Sequence, residues 1–307
     1  MRISRTLAGT LLAVGATLLW GVNGTVSRVA LDGGLSPLRL TEIRITAAAA
    51  ILLVFVTLTD RAALRLARRE VVPYALFGAI GLVCVQWTYF EAIARIPISI
   101  SLIIEYLAPL MVALWVRIVW KRRLPWLVWV AIPIACAGLG LALGLQGGDL
   151  GGLSRSGVLW SLGAGATYAY YALHAESLTR RRSPAAVLAL GLGFGSIVLA
   201  LALPWWSFPF DALAGSGSVG PLELPAWAGI AYIVVLGTVL PFTMIIAGVQ
   251  MIGADGAIVT AMLEPIFAGV VAWIALGQVL TPSQIVGGAV VLAAVAAAQI
   301  ARARAGA

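Results

Sequence analysis

Long apolar runs follow one another along almost the whole chain, and no water-soluble fold accommodates that pattern. A helix crossing the ~30 Å hydrocarbon core of a bilayer needs about 20 apolar residues. Runs of that length, bounded by charge, proline or glycine, number ten in the 307-residue chain: 7–30, 37–59, 72–94, 97–118, 125–146, 157–179, 185–204, 226–252, 255–276 and 283–301. Hydrophobic residues make up 62% of the chain and charged residues 10%, against soluble norms of roughly 45–50% and about 25%. So little charge cannot shield so much apolar surface from water. The runs are continuous rather than alternating, which excludes a β-barrel. The expected fold is all-α, a polytopic membrane protein of ten transmembrane helices. The short connections at Ile96-Pro97 and Gly253-Ala254 make their flanking helices antiparallel neighbours.

The net charge of +8 is explained by where it falls, and it excludes nucleic acid as a partner, because no basic stripe is interleaved with exposed aromatics. An even number of spans puts both termini on one side. That side carries Arg2, Arg5, Arg61, Arg65, Arg68, Arg69, Arg117, Lys121, Arg122, Arg123, Arg180, Arg181, Arg182, Arg302 and Arg304. The opposite side holds Arg95 and Arg155, while Arg28, Arg39 and Arg44 lie within or at the ends of the first two spans. The positive-inside rule then places both termini in the cytoplasm. Trp120, Trp126, Trp205, Trp206 and Trp227 cluster near span ends, where indoles favour the interface. Arg2 and Arg5 resemble the start of a signal peptide, but the run continues to about Ala30 without a cleavage signal and is expected to be a retained span. Cys84 and Cys136, each inside an apolar run, are expected to be buried packing residues.

The chain also repeats itself. Gly15-Ala16-Thr17 in the first span recurs as Gly165-Ala166-Thr167 in the sixth, and Ser36-Pro37 recurs as Ser183-Pro184. Glu105 to Trp115 (EYLAPLMVALW) aligns with Ala261 to Val271 (AMLEPIFAGVV), setting Leu107 and Pro109 over Leu263 and Pro265. Two halves of five spans, 1–150 and 151–307, result, and an odd span count turns the second copy upside down. Such 5+5 inverted repeats permit two near-equivalent packings, one open to each side, around a midplane site. Pro109 and Pro265 are the expected helix interruptions and gating points, each withdrawing a backbone hydrogen bond that a neighbour or cavity water must replace.

Ionisable groups in lipid are costly, so each is a site candidate. Glu105 and Glu264 enter from opposite sides and reach similar depth, about 12–14 Å at 1.5 Å per residue. Either can bind a substrate ammonium, carry a proton or make a structural hydrogen bond. His174, the single histidine, shares an expected polar aromatic face with Thr167, Tyr170 and Tyr171. Trp20, Asn23, Gly24 and Ser27 on the first span, and Gln86, Tyr89 and Phe90 on the third, give further inward faces, whether to line a cavity or to join helices. Arg44 meets a carboxylate, binds a substrate carboxylate or snorkels. Arg39 with Glu42, and Glu91 with Arg95, have the spacing of structural ion pairs.

Gly140 with Gly144, Gly191 with Gly195, and Ala289, Ala293 and Ala297 allow close helix approach. The charge-free fifth and tenth spans are expected to be scaffold or subunit contact, in a monomer or homodimer. Gly215, Gly217 and Gly220 have a dinucleotide-like spacing but no preceding strand, and are expected to form a flexible connector. Asn23-Gly24-Thr25 falls inside a span and is no glycosylation site. Lys121 lacks the glycines of a phosphate-binding loop, so ATP is not the energy source within this chain, and no cofactor or metal is implied.

These features define a secondary transporter of a small polar or amphipathic metabolite, with lipid and solute as its partners. An intramembrane protease or lipid hydrolase would need His174 as base and a serine as nucleophile, and one histidine cannot supply a metal site. A solute channel is the third alternative. The stretch Ile252 to Ala294 (IGADGAIVTAMLEPIFAGVVAWIALGQVLTPSQIVGGAVVLAA), with its Leu263-Glu264-Pro265, resembles the second-repeat signature of the EamA-type drug/metabolite transporters, and the first half carries a weaker copy. Gln278 stands where those proteins more often carry Glu. The arrangement is similar to YddG-type amino-acid exporters. The resemblance implies a multi-pass protein of the bacterial cytoplasmic membrane that exports amino acids or similar metabolites, with proton coupling through Glu105, Glu264 or His174 left open.

Overall fold

The computed structural model describes residues 5–145, 152–219 and 222–306. Arg2, Gly220 and the junction expected at 150/151 lie outside the described residues. The first half contains α1 (Arg5–Asp32), α2 (Pro37–Asp60), α3 (Arg68–Leu76), α4 (Val85–Ile93), α5 (Ile98–Glu105), α6 (Ala108–Ile118) and α7 (Trp126–Ala142). The second contains α8 (Arg155–Thr179), α9 (Pro184–Ala202), α10 (Ala226–Val234), α11 (Leu240–Ala261), α12 (Glu264–Leu276) and α13 (Pro282–Gly306). A π-helical stretch, Phe77–Cys84, joins α3 to α4, and another, Val235–Val239, joins α10 to α11. Both matching Ser-Pro pairs start helices. The Ser36 hydroxyl accepts from the Arg39 amide at 3.3 Å and Ser183 from Ala186 at 3.4 Å, with proline at the first helical position in each case.

Seven helical segments among the described residues are long and apolar enough to cross a bilayer, and Trp126–Ala142 and Glu264–Leu276 are shorter apolar helices. The chain is a membrane protein. Helix α8 has the length to span, at 25 residues, but its Ser, Thr, Tyr and His side chains dilute its apolar character. The connection expected at Gly253-Ala254 does not interrupt α11, which runs on to Ala261. A β-carbon at Gly9 would fall 2.5 Å from Met251, whereas one at Gly21 would fall 2.7 Å from Phe267, so α1 lies against both α11 and α12.

Two expectations are corrected between α9 and α10. The supposed flexible connector is a β-hairpin, β1 (Ser216–Val219) paired antiparallel with β2 (Leu222–Pro225), so the described chain is helical apart from one small sheet. The hairpin is seated on α1. A β-carbon at Gly217 would lie 2.5 Å from the Val29 carbonyl oxygen, a distance only glycine avoids.

The helices pair in a reciprocal manner. α1 packs against α10, α11 and α12, while α8 packs against the first π stretch, α4, α5 and α6. Helix α2 lies antiparallel to α9, with Arg39 near Leu203 and Ser207, the Thr46 and Ser196 hydroxyls 2.9 Å apart, and Arg182 bonded to the Ala63 carbonyl. Helix α7 packs against α13. That contact uses Gly138 and Gly287, where a β-carbon would come within 2.9 and 2.4 Å of the facing backbone. The small residues expected there play other parts. Gly140 meets only Leu145, Gly144 ends α7 in a left-handed conformation (φ 74°), and Ala289 and Ala293 are exposed. Gly191 and Gly195 do admit a neighbour, the Gly78 turn of the first π stretch. Cys84 is half-buried, but Cys136 is exposed on α7 rather than packed inside.

Candidate functional site

Two helix breaks organise the centre of the molecule. α5 ends at Glu105, and after Tyr106 and Leu107 the chain restarts as α6 with Pro109 at its second position. α11 ends at Ala261, and after Met262 and Leu263 it restarts as α12 with Pro265 at its second position. Leu107 (φ −72°, ψ −13°) and Leu263 (φ −78°, ψ −14°) have nearly the same backbone. Each donates its amide three residues back, to Ile104 at 3.1 Å and to Thr260 at 3.0 Å. Both prolines thus sit at interruptions of their helices, as the sequence suggested. They occupy a first turn, where the amide they lack has no intrahelical acceptor, so no replacement partner is required.

Beside these breaks lies a cavity of about 380 Å³ lined by residues of both halves. Of the sequence candidates, the structure brings Trp20, Asn23, Arg44, Gln86, Tyr89, Glu105, Tyr171 and Glu264 to its wall. Arg44 does not snorkel. It is 5% exposed, donates from Nε to the Thr238 hydroxyl at 3.1 Å and from Nη2 to the Gly237 carbonyl at 3.3 Å, and lies 5.6 Å from the Phe90 ring centroid. Its acceptors belong to the second π stretch, where Thr238 bonds back to the Ile233 carbonyl five residues earlier. Glu264 accepts from the Tyr106 hydroxyl at 2.8 Å. Glu105 Oε2 and Asn23 Oδ1 are buried without a hydrogen-bond partner among the described residues. Neither wall carboxylate is ion-paired to Arg44 among the described residues. Uncompensated polar groups at such depth are the chemistry with which a membrane protein receives a polar solute.

Thr167 and His174 are not part of this wall. Thr167 spends its hydroxyl on the Gly163 and Ala164 carbonyls of its own helix at 2.9 and 3.1 Å. His174 places Nδ1 2.9 Å from the Tyr170 carbonyl and stacks on Tyr170 with ring centroids 3.8 Å apart. The α8 stripe that does line the cavity is Tyr168, Tyr171, Ala175 and Thr179, one residue round the helix from the expected face. Sequence reasoning also missed Tyr106 and Phe242. Tyr106 lies inside the aligned EYLAPLMVALW segment, so the repeat itself was the signal that could have found it. Gln278 has a structural role, its Oε1 accepting from the Ile98 amide at the start of α5 at 3.1 Å.

The cavity's two ends differ. At one end Thr179 and Pro184, both exposed, carry it to the surface beside Arg180–Arg182. Away from that opening Leu40, Phe90, Ile93 and Ile98 are fully buried in one cluster with the wall residues Tyr89 and Leu102. Arg39 bonds to Glu42 at 2.6 Å and to the Ser207 hydroxyl at 2.6 Å, and Glu42 is itself fully buried. Glu91 and Arg95 form the second expected ion pair. Helices α7 and α13 contribute nothing to the wall.

Comparison with known proteins agrees with this architecture. The chain is 24% identical over 264 residues to YicL of Salmonella typhimurium, named as an inner membrane transporter, covering 85% of each protein. It is 31% identical over 186 residues to the threonine/homoserine exporter RhtA of Escherichia coli, covering 59% of this chain and 55% of that one. A solved crystal structure shares the fold with a TM-score of 0.62 at 19% identity, covering 97% of this chain and 99% of the other. The sequence profile of the EamA-like transporter family matches twice, at residues 7–144 and 155–298. The chain belongs to the EamA-like transporter family, and it is a transporter rather than an enzyme.

Proposed function

We propose that the protein is a secondary transporter of the bacterial inner membrane that exports amino acids or similar small zwitterions by alternating access to the central cavity. The observation that carries this reading is one membrane-depth cavity lined by a buried arginine, Arg44, and two carboxylates, Glu105 and Glu264. Arg44 would receive the solute carboxylate and a wall glutamate its ammonium, while Trp20, Tyr89, Tyr171 and Phe242 pack its apolar part. Ten spans arranged as two inverted five-helix halves, 1–150 and 151–307, give this cavity its second opening. The reciprocal pairing of α1 with α10–α11 and of α8 with the first π stretch and α4 supports that arrangement, as does the antiparallel pairing of α2 with α9. In the conformation described, the open end lies beside Arg180–Arg182, the side expected to be cytoplasmic, as loading an exporter requires. RhtA, named for threonine and homoserine, supports an amino acid as solute.

The test is counterflow into proteoliposomes with threonine, homoserine and an aromatic amino acid. Saturable exchange of at least one is expected, reduced about 100-fold or more in Arg44→Ala, because a lost charged hydrogen bond costs about 1.5–3 kcal/mol and the deep pocket is left net negative. Flux that rises linearly with concentration would instead mean a channel, and no flux for any of the three would defeat the amino-acid reading.

A further inference from the structure

The two cavity carboxylates stand in opposite electrostatic positions, although the backbone around them repeats. Glu264 is the first residue of α12, a 13-residue helix whose amino end favours a negative charge, and Oε2 accepts from Tyr106 at 2.8 Å. Glu105 is the last residue of α5, at the carboxyl end of an eight-residue helix, where the unpaired carbonyls oppose a negative charge. Its Oε2 is buried at the cavity wall with no hydrogen-bond partner among the described residues. Tyr106, which immediately follows it, turns away to the other break. Its hydroxyl lies 2.7 Å from the Ala261 carbonyl as well as 2.8 Å from Glu264, a bifurcated donation that ties the first break to the second.

We propose a division of labour that rests on the transporter reading above: Glu105 is the carboxylate that binds the solute's cationic group, and Glu264 is held by Tyr106 in a latch joining the two helix breaks. A carboxylate already neutralised by a helix amino end and a phenol gains little from a cation. One disfavoured by its helix and lacking a donor gains the most. On this assignment Glu105 is a strained binding group, stabilised only while solute is present, and Tyr106 is a positioning residue whose hydroxyl is committed to the latch.

The decisive measurement is thermal unfolding of the full-length protein in detergent without solute, compared among Glu105→Gln, Glu264→Gln and Tyr106→Phe. Glu105→Gln is expected to raise the midpoint by several degrees, because it removes a buried carboxyl group that its helix end opposes and no donor among the described residues serves. Glu264→Gln and Tyr106→Phe are expected to lower it, and failure of either to yield folded protein counts as that lowering. A Glu105→Gln midpoint equal to or below wild type, or lowered midpoints for all three, overturns the proposal. This readout needs no solute, so it stands or falls apart from the amino-acid reading. With L-threonine as probe in proteoliposomes, Glu105→Gln should raise KM about tenfold or more. Tyr106→Phe should lower the maximal rate with KM within about threefold, because it keeps the ring at the wall and removes only the hydroxyl that bonds Ala261 and Glu264. Equal KM effects for the two would also overturn the assignment.

Discussion

The helix break after Glu105 and the break after Ala261 share their backbone and differ in their chemistry. Cap dihedrals agree within a few degrees, the i to i−3 amide bond recurs, and a proline follows at the same position. The acid, however, precedes the break in the first half and follows it in the second, and only the first half supplies a tyrosine to bridge them. Duplication thus preserves what the backbone must do beside the cavity, which is to stop and restart a helix with its polar groups satisfied. Charge placement is free to diverge, because a side chain can be exchanged without disturbing the turn.

The helices that cover the two breaks offer the sharpest way to test that separation. Gly21 of α1 lies against α12, where a β-carbon would fall 3.0 Å from the Ala268 amide nitrogen, whereas Gly165 of α8 lies against Glu105 and Ile104 at 3.5 Å. Gly21→Ala should therefore destabilise by about 1–3 kcal/mol through overpacking against backbone. Gly165→Ala should be neutral or gain up to about 1 kcal/mol from helix propensity. Thermal or denaturant unfolding of both variants checks the contrast, and equal shifts would mean that the two covers are equivalent. Next in size, Gln278→Ala removes the acceptor for the Ile98 amide at the head of α5 and should cost about 1 kcal/mol. A loss far below that, by the same measurement, would show that water takes over the amide. The smallest effects are expected at the prolines. Pro109→Ala and Pro265→Ala should each lower stability by less than about 1 kcal/mol, since a first-turn proline acts mainly by stiffening the unfolded chain. A gain approaching about 3 kcal/mol at either site would instead reveal a proline straining a continuous helix.

The long apolar helices, seven of them among the described residues, were readable because lipid imposes a single demand, continuous apolar length, which appears directly in residue order. The Ser-Pro helix starts and the Leu-x-Pro alignment were readable for a related reason, since both are local backbone devices. The facing of α8 was not. Thr167, Tyr170 and His174 form one polar stripe and Tyr168, Tyr171 and Thr179 another, about 100° apart, and helical period alone cannot choose which of two polar stripes meets the cavity. Tertiary packing of α8 on α4 and α5 decides it. The hairpin was missed because glycine and serine at 215–218 read as flexibility, whereas here the glycine is the consequence of a strand pressed onto α1. Tyr106 escaped notice because its value lies in a contact with Ala261 and Glu264, more than 150 residues away.

The pairing of α1 with α10 and α11 has a bearing on how the chain is made. During synthesis the first helix enters the bilayer long before its main partner exists, and its glycine-bearing face at Gly9, Gly15 and Gly21 must wait against lipid. Each half in this way holds the docking surface of the other, so a product arrested after α7 would leave α1 without its principal neighbours. Assembly of this protein is consequently a late event, completed when the carboxyl-terminal helices arrive, and it is at that stage that chaperones and proteases of the membrane would meet an unfinished molecule.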